Sequence, residues 1–143
     1  MERDGSSPRA TPALRLEILD IDRLRSHEAV ESGLLRQTIE EIRKDGCLKR
    51  PILVADGDNV ILDGHHRFEA LRTLGYRRIP AYVIDYSSDL VEVTTWPQAT
   101  VKEVTKQEVL RRGRTGELFP PKTTRHILRT PLPEISMDLK DLR

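Results

Sequence analysis

The chain is poor in cysteine, in net charge and in long apolar runs, and each shortage excludes something. Its one cysteine, Cys47, cannot close an internal disulfide, and neither its number nor its setting matches a metal cage. Lysine and arginine number 24 against 23 aspartates and glutamates, a formal charge of +1. No field of one sign therefore favours non-specific binding to nucleic acid or to a membrane surface. No apolar stretch approaches the roughly 20 residues that span a bilayer. The opening Met1-Glu2-Arg3-Asp4-Gly5-Ser6-Ser7-Pro8 has no apolar segment of signal-peptide type. A soluble, cytoplasmic protein without membrane contact is the expectation.

What remains is a chain of 143 residues, 37% hydrophobic and 33% charged, long enough for one domain with a thin core. Residues 1–12 read as a disordered leader, and residues 13–143 as a single domain. Leu14, Leu16 and Ile18 alternate with Arg15 and Glu17, the pattern of a half-buried strand over 14–19. Val30, Leu34, Leu35, Ile39 and Ile42 recur at helical spacing until Gly46, which predicts a helix over Glu31–Asp45. Pro51–Ala55 and Val60–Leu62 flank Asp56-Gly57-Asp58-Asn59 and predict a hairpin. A second helix opens at Asp63-Gly64-His65-His66-Arg67 and closes at Gly75, and a strand follows over Ile79–Tyr86. Leu90–Thr95 reads as a further strand. Thr105-Lys106-Gln107-Glu108 is a capping-box pattern with Val104 and Val109 placed as a staple, predicting a helix from Lys106 to about Arg112. Beyond Thr115 the chain is largely irregular, with short strands near Ile127 and Ile135. The sum is a compact α/β (α+β) domain.

Chemistry concentrates in three stretches. At Asp63-Gly64-His65-His66-Arg67 a strand runs through glycine into a helix, so free backbone N–H groups and the helix dipole favour an anion. Arg67 adds a fork of donors for phosphate oxygens, and His65 and His66 can donate hydrogen bonds or carry a proton near neutral pH. Asp63 at the cap would repel phosphate unless a cation stood between them, and Mg²⁺ suits that gap. The alternative is structural: Asp63 as N-cap, the histidines at the surface, Arg67 in an ion pair. The second stretch is His27-Glu28, where Glu28 is either a general base beside a phosphate site or a dipole-matched surface residue. The third is Phe119-Pro120-Pro121-Lys122-Thr123-Thr124-Arg125-His126, where stiffened backbone leads into five polar side chains in succession. It is either a second anion site or a basic exposed loop. Trp96, held extended by Pro97, lines a pocket or seals the core. Cys47 packs under the loop after Gly46, with no base poised to activate it.

Taken together these residues resemble the ParB/sulfiredoxin superfamily, whose small mixed sheet with flanking helices is then the expected fold. In that superfamily a glycine-plus-arginine motif at this point cradles nucleotide phosphates. Asp63-Gly64-His65-His66-Arg67 looks like the free L-serine kinase branch. Partition proteins usually carry Gly-Glu-Arg-Arg here, and sulfiredoxins a catalytic cysteine where this chain has His65. His27-Glu28 and Lys122-Thr123-Thr124-Arg125-His126 resemble the same branch, and the match runs in order from about Leu14 to Leu142.

The resemblance implies phosphorylation of free L-serine to O-phospho-L-serine by ADP or ATP with Mg²⁺, a product suited to cysteine biosynthesis. It implies Glu28 as base, Asp63 and His65 as further catalytic residues, and Asp63 as the metal ligand. Gly64, His65, His66 and Arg67 would bind the nucleotide phosphates, and Trp96, Lys122, Thr123, Thr124, Arg125 and His126 serine or its phosphate. Archaeal members carry extra sequence between the tryptophan region and Lys-Thr-Thr, where here only Pro97–Pro121 intervenes. If that part closes the pocket or holds adenine, nucleotide binding is weaker here or the substrate is enclosed differently. The alternative function is a ParB-like nucleotide- or DNA-binding regulator without kinase activity, and the even charge balance counts against the DNA form of it.

Overall fold

The computed structural model describes residues 13–143, so the leader expected over 1–12 lies outside the described residues. Strand β1 is Leu14–Asp20, helix α1 Ser32–Asp45, β2 Cys47–Leu48, β3 Ile52–Ala55, β4 Ile61–Asp63 and α2 His65–Thr73. They are followed by β5 Arg78–Ile84, β6 Val91–Thr95, α3 Lys106–Thr115, β7 Thr124–Leu128 and β8 Met137–Asp138, with single 3-10 turns at Ile21–Arg23 and Leu139–Leu142. The central sheet runs β1-β5-β3-β4. It is mixed, because β5 pairs antiparallel with β1 and parallel with β3, while β3 and β4 form the antiparallel hairpin.

Strands β3 and β5 are apolar along nearly their whole length because both sheet faces are covered. Ile52, Val54, Ile79, Ala81 and Val83 point into one core, with Ile42 of α1 and Phe68 and Leu71 of α2. Leu53, Ala55, Tyr82 and Ile84 point into the other, with Val91 of β6 and Val109 of α3. Alternation along the pleat divides consecutive residues between the two cores. The second layer is completed by the β6–β7 ribbon, in which Thr95 pairs with Thr124 and Val91 with Leu128.

Four local readings are corrected. In β1 only Leu14 of the apolar row packs against a core, while Leu16 and Ile18 are 41% and 48% exposed. They lie on an edge strand opposite Tyr82 and Pro80, beyond the reach of the second layer. Arg15 on the other side is half-buried by its bidentate pairing with Asp56 (3.0 and 3.1 Å). Asp63 is not a helix cap, because it ends β4 and Gly64 caps α2 at φ 103°. A Cβ at Gly64 would also lie 2.5 Å from Ile52 Cγ2 and 2.9 Å from Arg67 Nη2, so only glycine fits. Helix α3 runs past Arg112 to Thr115. Its Gly113 is there for close approach, since a Cβ would lie 2.4 Å from Val60 Cγ2. Gly46 closes α1 and Thr105 caps α3 by accepting from the Glu108 amide, as read, whereas Glu31, expected as the first helical residue, instead caps α1 by accepting from the Gly33 and Leu34 amides.

Candidate active site

The β3–β4 hairpin delivers the chain through Gly64 directly into α2, so the first turn of that helix opens at the sheet edge next to β7. The loop before α1 is sewn to the segment before β7: Ala29 donates to the Phe119 carbonyl (2.8 Å) and Phe119 to that of His27 (2.9 Å). These two arrangements bring Glu28, the start of α2 and Lys122–His126 around one cleft of about 380 Å³. Glu28, Asp63, Gly64, His65, His66, Arg67, Trp96, Lys122, Thr124, Arg125 and His126 all line it.

Thr123 alone of the expected site residues does not. It is 1% exposed and its hydroxyl donates to the Pro120 carbonyl (2.7 Å), locking the turn that follows the two prolines. Sequence reasoning missed Arg50 and Leu62, which also line the cleft. Arg50 stands just before β3 in no recognisable spacing, and only the fold carries it to α2. His27 was noted only as the neighbour of Glu28, although it is fully buried and central to the site.

Glu28 does not sit in a helical first turn. It precedes α1, and its carboxylate accepts from the backbone of Lys122 (Oε2, 3.2 Å) and Thr124 (Oε1, 2.8 Å). Lys122 adopts φ 62°, and a left-handed residue other than glycine is strained backbone that persists when its surroundings enforce it. Here it turns both amides toward one carboxylate. Burial raises the pKa of Glu28, opposed by the backbone hydrogen bonds from Thr124 and Lys122. The Thr124 hydroxyl is 2.8 Å from Glu28 Oε1 and 2.8 Å from His27 Nε2, so it is engaged on both sides.

The histidines are neutral, contrary to the proton-carrying role open to His65 and His66 in the sequence. His65 Nε2 accepts the His27 amide (3.3 Å) and His66 Nε2 that of Glu31 (3.0 Å), which leaves the ring proton of each on Nδ1. Burial holds His65 well below the ordinary histidine pKa, with His27 and His126 adding to it. Burial also lowers His66, helped by Lys122, and brings His27 to about 4 and His126 to about 3. The His27 ring lies edge-on to His65 and His126, with centroids 4.7 and 5.9 Å away. Tyr86 Oη is 2.8 Å from His126 Nε2.

Donors remain free for an anion. Arg67 donates through Nη2 to the Pro51 carbonyl (3.2 Å), while its Nε is buried without a hydrogen-bond partner among the described residues. Trp96 is 37% exposed at the cleft and not a core residue. Its indole N–H donates to the Thr124 carbonyl (3.0 Å), and the Arg125 guanidinium lies 4.8 Å from the ring centroid. The Ser136 hydroxyl donates to Cys47 Sγ (3.4 Å), and Cys47 does not line this cleft.

No family model matches the chain. Over 102 residues it is 34% identical to an ATP-dependent L-serine kinase of Staphylothermus marinus, covering 67% of this chain and 40% of that protein. Over 97 residues it is 40% identical to a ParB-like protein of Sulfolobus acidocaldarius, covering 68% of this chain and 48% of that protein. The chain therefore matches less than half the length of either relative. Among solved structures, a free serine kinase variant in complex with ADP superposes with a TM-score of 0.81 at 21% identity, covering 90% of this chain and 94% of that one. The fold is thus that of the free serine kinases, a mixed α/β fold. The chain itself is a homologue of proteins named L-serine kinase and ParB-like protein.

Proposed function

We propose that residues 13–143 act as one domain that transfers the terminal phosphoryl group of an adenine nucleotide to the hydroxyl of free L-serine, giving O-phospho-L-serine. The observation that carries this reading is the cleft's polarity. A half-buried carboxylate, aimed by two backbone donors, shares it with a helix N-terminus whose arginine retains a free buried donor. Free N–H groups at the start of α2, together with Arg67 and Arg50, suit phosphate oxygens. Glu28 suits the proton of an attacking hydroxyl. The serine Oγ–P bond forms as the bond from phosphorus to the nucleotide's leaving oxygen breaks, and the hydroxyl proton passes to Glu28.

Lys122 and Arg125 face the same space, suited to serine's carboxylate and to the transferred group, and Trp96 walls it. His65 supports the site by holding the His27 loop, and His66 by holding the amide of Glu31. His126 packs beneath, bound to Tyr86. Asp63 is an exposed carboxylate on the cleft wall. Among the described residues no three His, Cys, Asp or Glu side chains cluster as a metal cage. One carboxylate plus substrate phosphates is the donor set Mg²⁺ commonly takes, so Asp63 fits that ion. When bound, the ion neutralises charge developing on the phosphates. Catalysis otherwise comes from position and electrostatics.

Incubation with L-serine, Mg²⁺ and either ATP or ADP, with products resolved by mass spectrometry, tests the proposal. O-phosphoserine accompanied by ADP identifies ATP as donor, and accompanied by AMP identifies ADP. The likeness to a ParB-like protein supports a second reading, a nucleotide-dependent regulator. Nucleotide binding without O-phosphoserine from either donor would favour that one.

A further inference from the structure

The proton count around Thr124 deepens this reading and rests on it for the role of Glu28. His27 Nδ1 lies 2.7 Å from the Ile61 carbonyl oxygen, which can only accept, so Nδ1 carries a hydrogen. In the neutral ring Nε2 then has a lone pair, and it lies 2.8 Å from the Thr124 hydroxyl. That hydroxyl is also 2.8 Å from Glu28 Oε1, yet it has a single proton. If the proton goes to His27, the hydroxyl turns lone pairs toward Glu28. A carboxylate there sets acceptor against acceptor, whereas a protonated Glu28 makes a hydrogen bond. In the reverse arrangement the hydroxyl donates to the Glu28 carboxylate and Nε2 faces an oxygen lone pair; pairing it would take an imidazolium at a fully buried His27, which burial and Arg112 both disfavour.

We propose that His27 is a positioning residue: anchored by the Ile61 carbonyl, it draws the Thr124 hydroxyl proton away from Glu28. The series Ile61–His27–Thr124–Glu28 is then fully hydrogen-bonded only when Glu28 holds a proton. The arrangement strengthens Glu28 as an acceptor, as a general base working near neutral pH requires. As the serine hydroxyl proton moves to Glu28, the new O–H donates to Thr124 Oγ1, while the Thr124 amide stays on Oε1 throughout. The other charged or titratable groups here are His65, His126 and Arg112 around His27, and Arg50, Asp63, Arg67 and Lys122 along the cleft. All are retained in the variants below, so the direction of the change isolates the hydroxyl.

The test is titration of the Glu28 side-chain carboxyl carbon by NMR in the full chain and in Thr124→Val, Thr124→Ser and His27→Leu. The parent should titrate above the usual glutamate value of about 4.3. Thr124→Val and His27→Leu should each lower that midpoint by about one pH unit, the equivalent of one hydrogen bond, and Thr124→Ser should restore it. A rise in Thr124→Val would show the hydroxyl donating to the carboxylate and would overturn the inference, as would no movement in that variant. Thr124→Val is nearly isosteric and decides the matter if His27→Leu does not fold. The acid limb of the kcat/KM profile for serine should move with the midpoint. The expected NMR shifts in a protein that forms no O-phosphoserine would leave the hydrogen-bond series standing and remove the kinase reading. Phosphorylation with a raised midpoint in Thr124→Val would do the reverse.

Discussion

Arg67 is the residue whose surroundings most directly call for a ligand. Its Nη2 is fixed on the Pro51 carbonyl, and its Nε, buried at the head of α2, has no partner in the described structure. An unpaired buried donor is costly unless something binds it. A nucleotide phosphate would satisfy it, so Arg67→Ala should weaken ATP or ADP binding by roughly 10-fold or more, the loss of a charged hydrogen bond of about 1.5–3 kcal/mol. Calorimetry would measure this, and an unchanged Kd would remove Arg67 from the phosphate site. At this scale the sequence was informative about identity and poor about state. The residues of the Asp63–Arg67 turn and the 122–126 stretch could be singled out, but not that Thr123 turns inward onto Pro120. Nor could it show that His65 and His66 accept backbone amides and so stay neutral. The amides they accept lie 38 and 35 positions away in the chain.

At the scale of elements, the site depends on how closely α3 and α2 approach the hairpin. Gly113 lets α3 lie on Val60, next to the β4 strand that leads into α2. Gly113→Ala would drive a methyl group to 2.4 Å from Val60 Cγ2. The expected cost is roughly 1–3 kcal/mol of overpacking, seen as a lower denaturant midpoint with an unchanged slope. A neutral or stabilising effect would mean the helix shifts freely and is not seated there. Helical periodicity and caps made α1, α2 and α3 legible, because those signals are local. The end of α3 was not, because Gly113 reads as a breaker until Val60 is known to lie beneath it. The exposure of Leu16 and Ile18 in β1 was equally hidden, since alternation gives a strand its two faces without saying which is covered.

For the molecule as a whole, three buried neutral histidines link stability to pH. His27 and His126 titrate near 4 and 3 in the folded chain, His65 well below its ordinary value, against about 6.5 unfolded. Between those limits the unfolded chain binds more protons, so their contribution is full above about pH 6.5 and is lost as pH falls toward the folded values. Glu28, raised in the fold, acts with the opposite sign: its contribution is present below its unfolded value near 4.5 and lost as pH rises through its folded value. With three histidines against one carboxyl, denaturant midpoints should be level from pH 8 to 7 and decline steadily from pH 6.5 to 4.5. Midpoints that stay level or rise over that lower interval would contradict the buried neutral cluster.

The larger claim is that a carboxylate before α1 and a phosphate cradle at the head of α2 act on one phosphoryl group. Phosphorus-31 NMR of the protein with L-serine, Mg²⁺ and ATP or ADP, run beside Glu28→Gln, tests it most directly. The parent should develop a phosphomonoester signal matching O-phosphoserine, and Glu28→Gln should form it roughly 10²–10⁴-fold more slowly while binding nucleotide as tightly. No such signal from the parent with either nucleotide, or equal rates in the two proteins, would contradict the account.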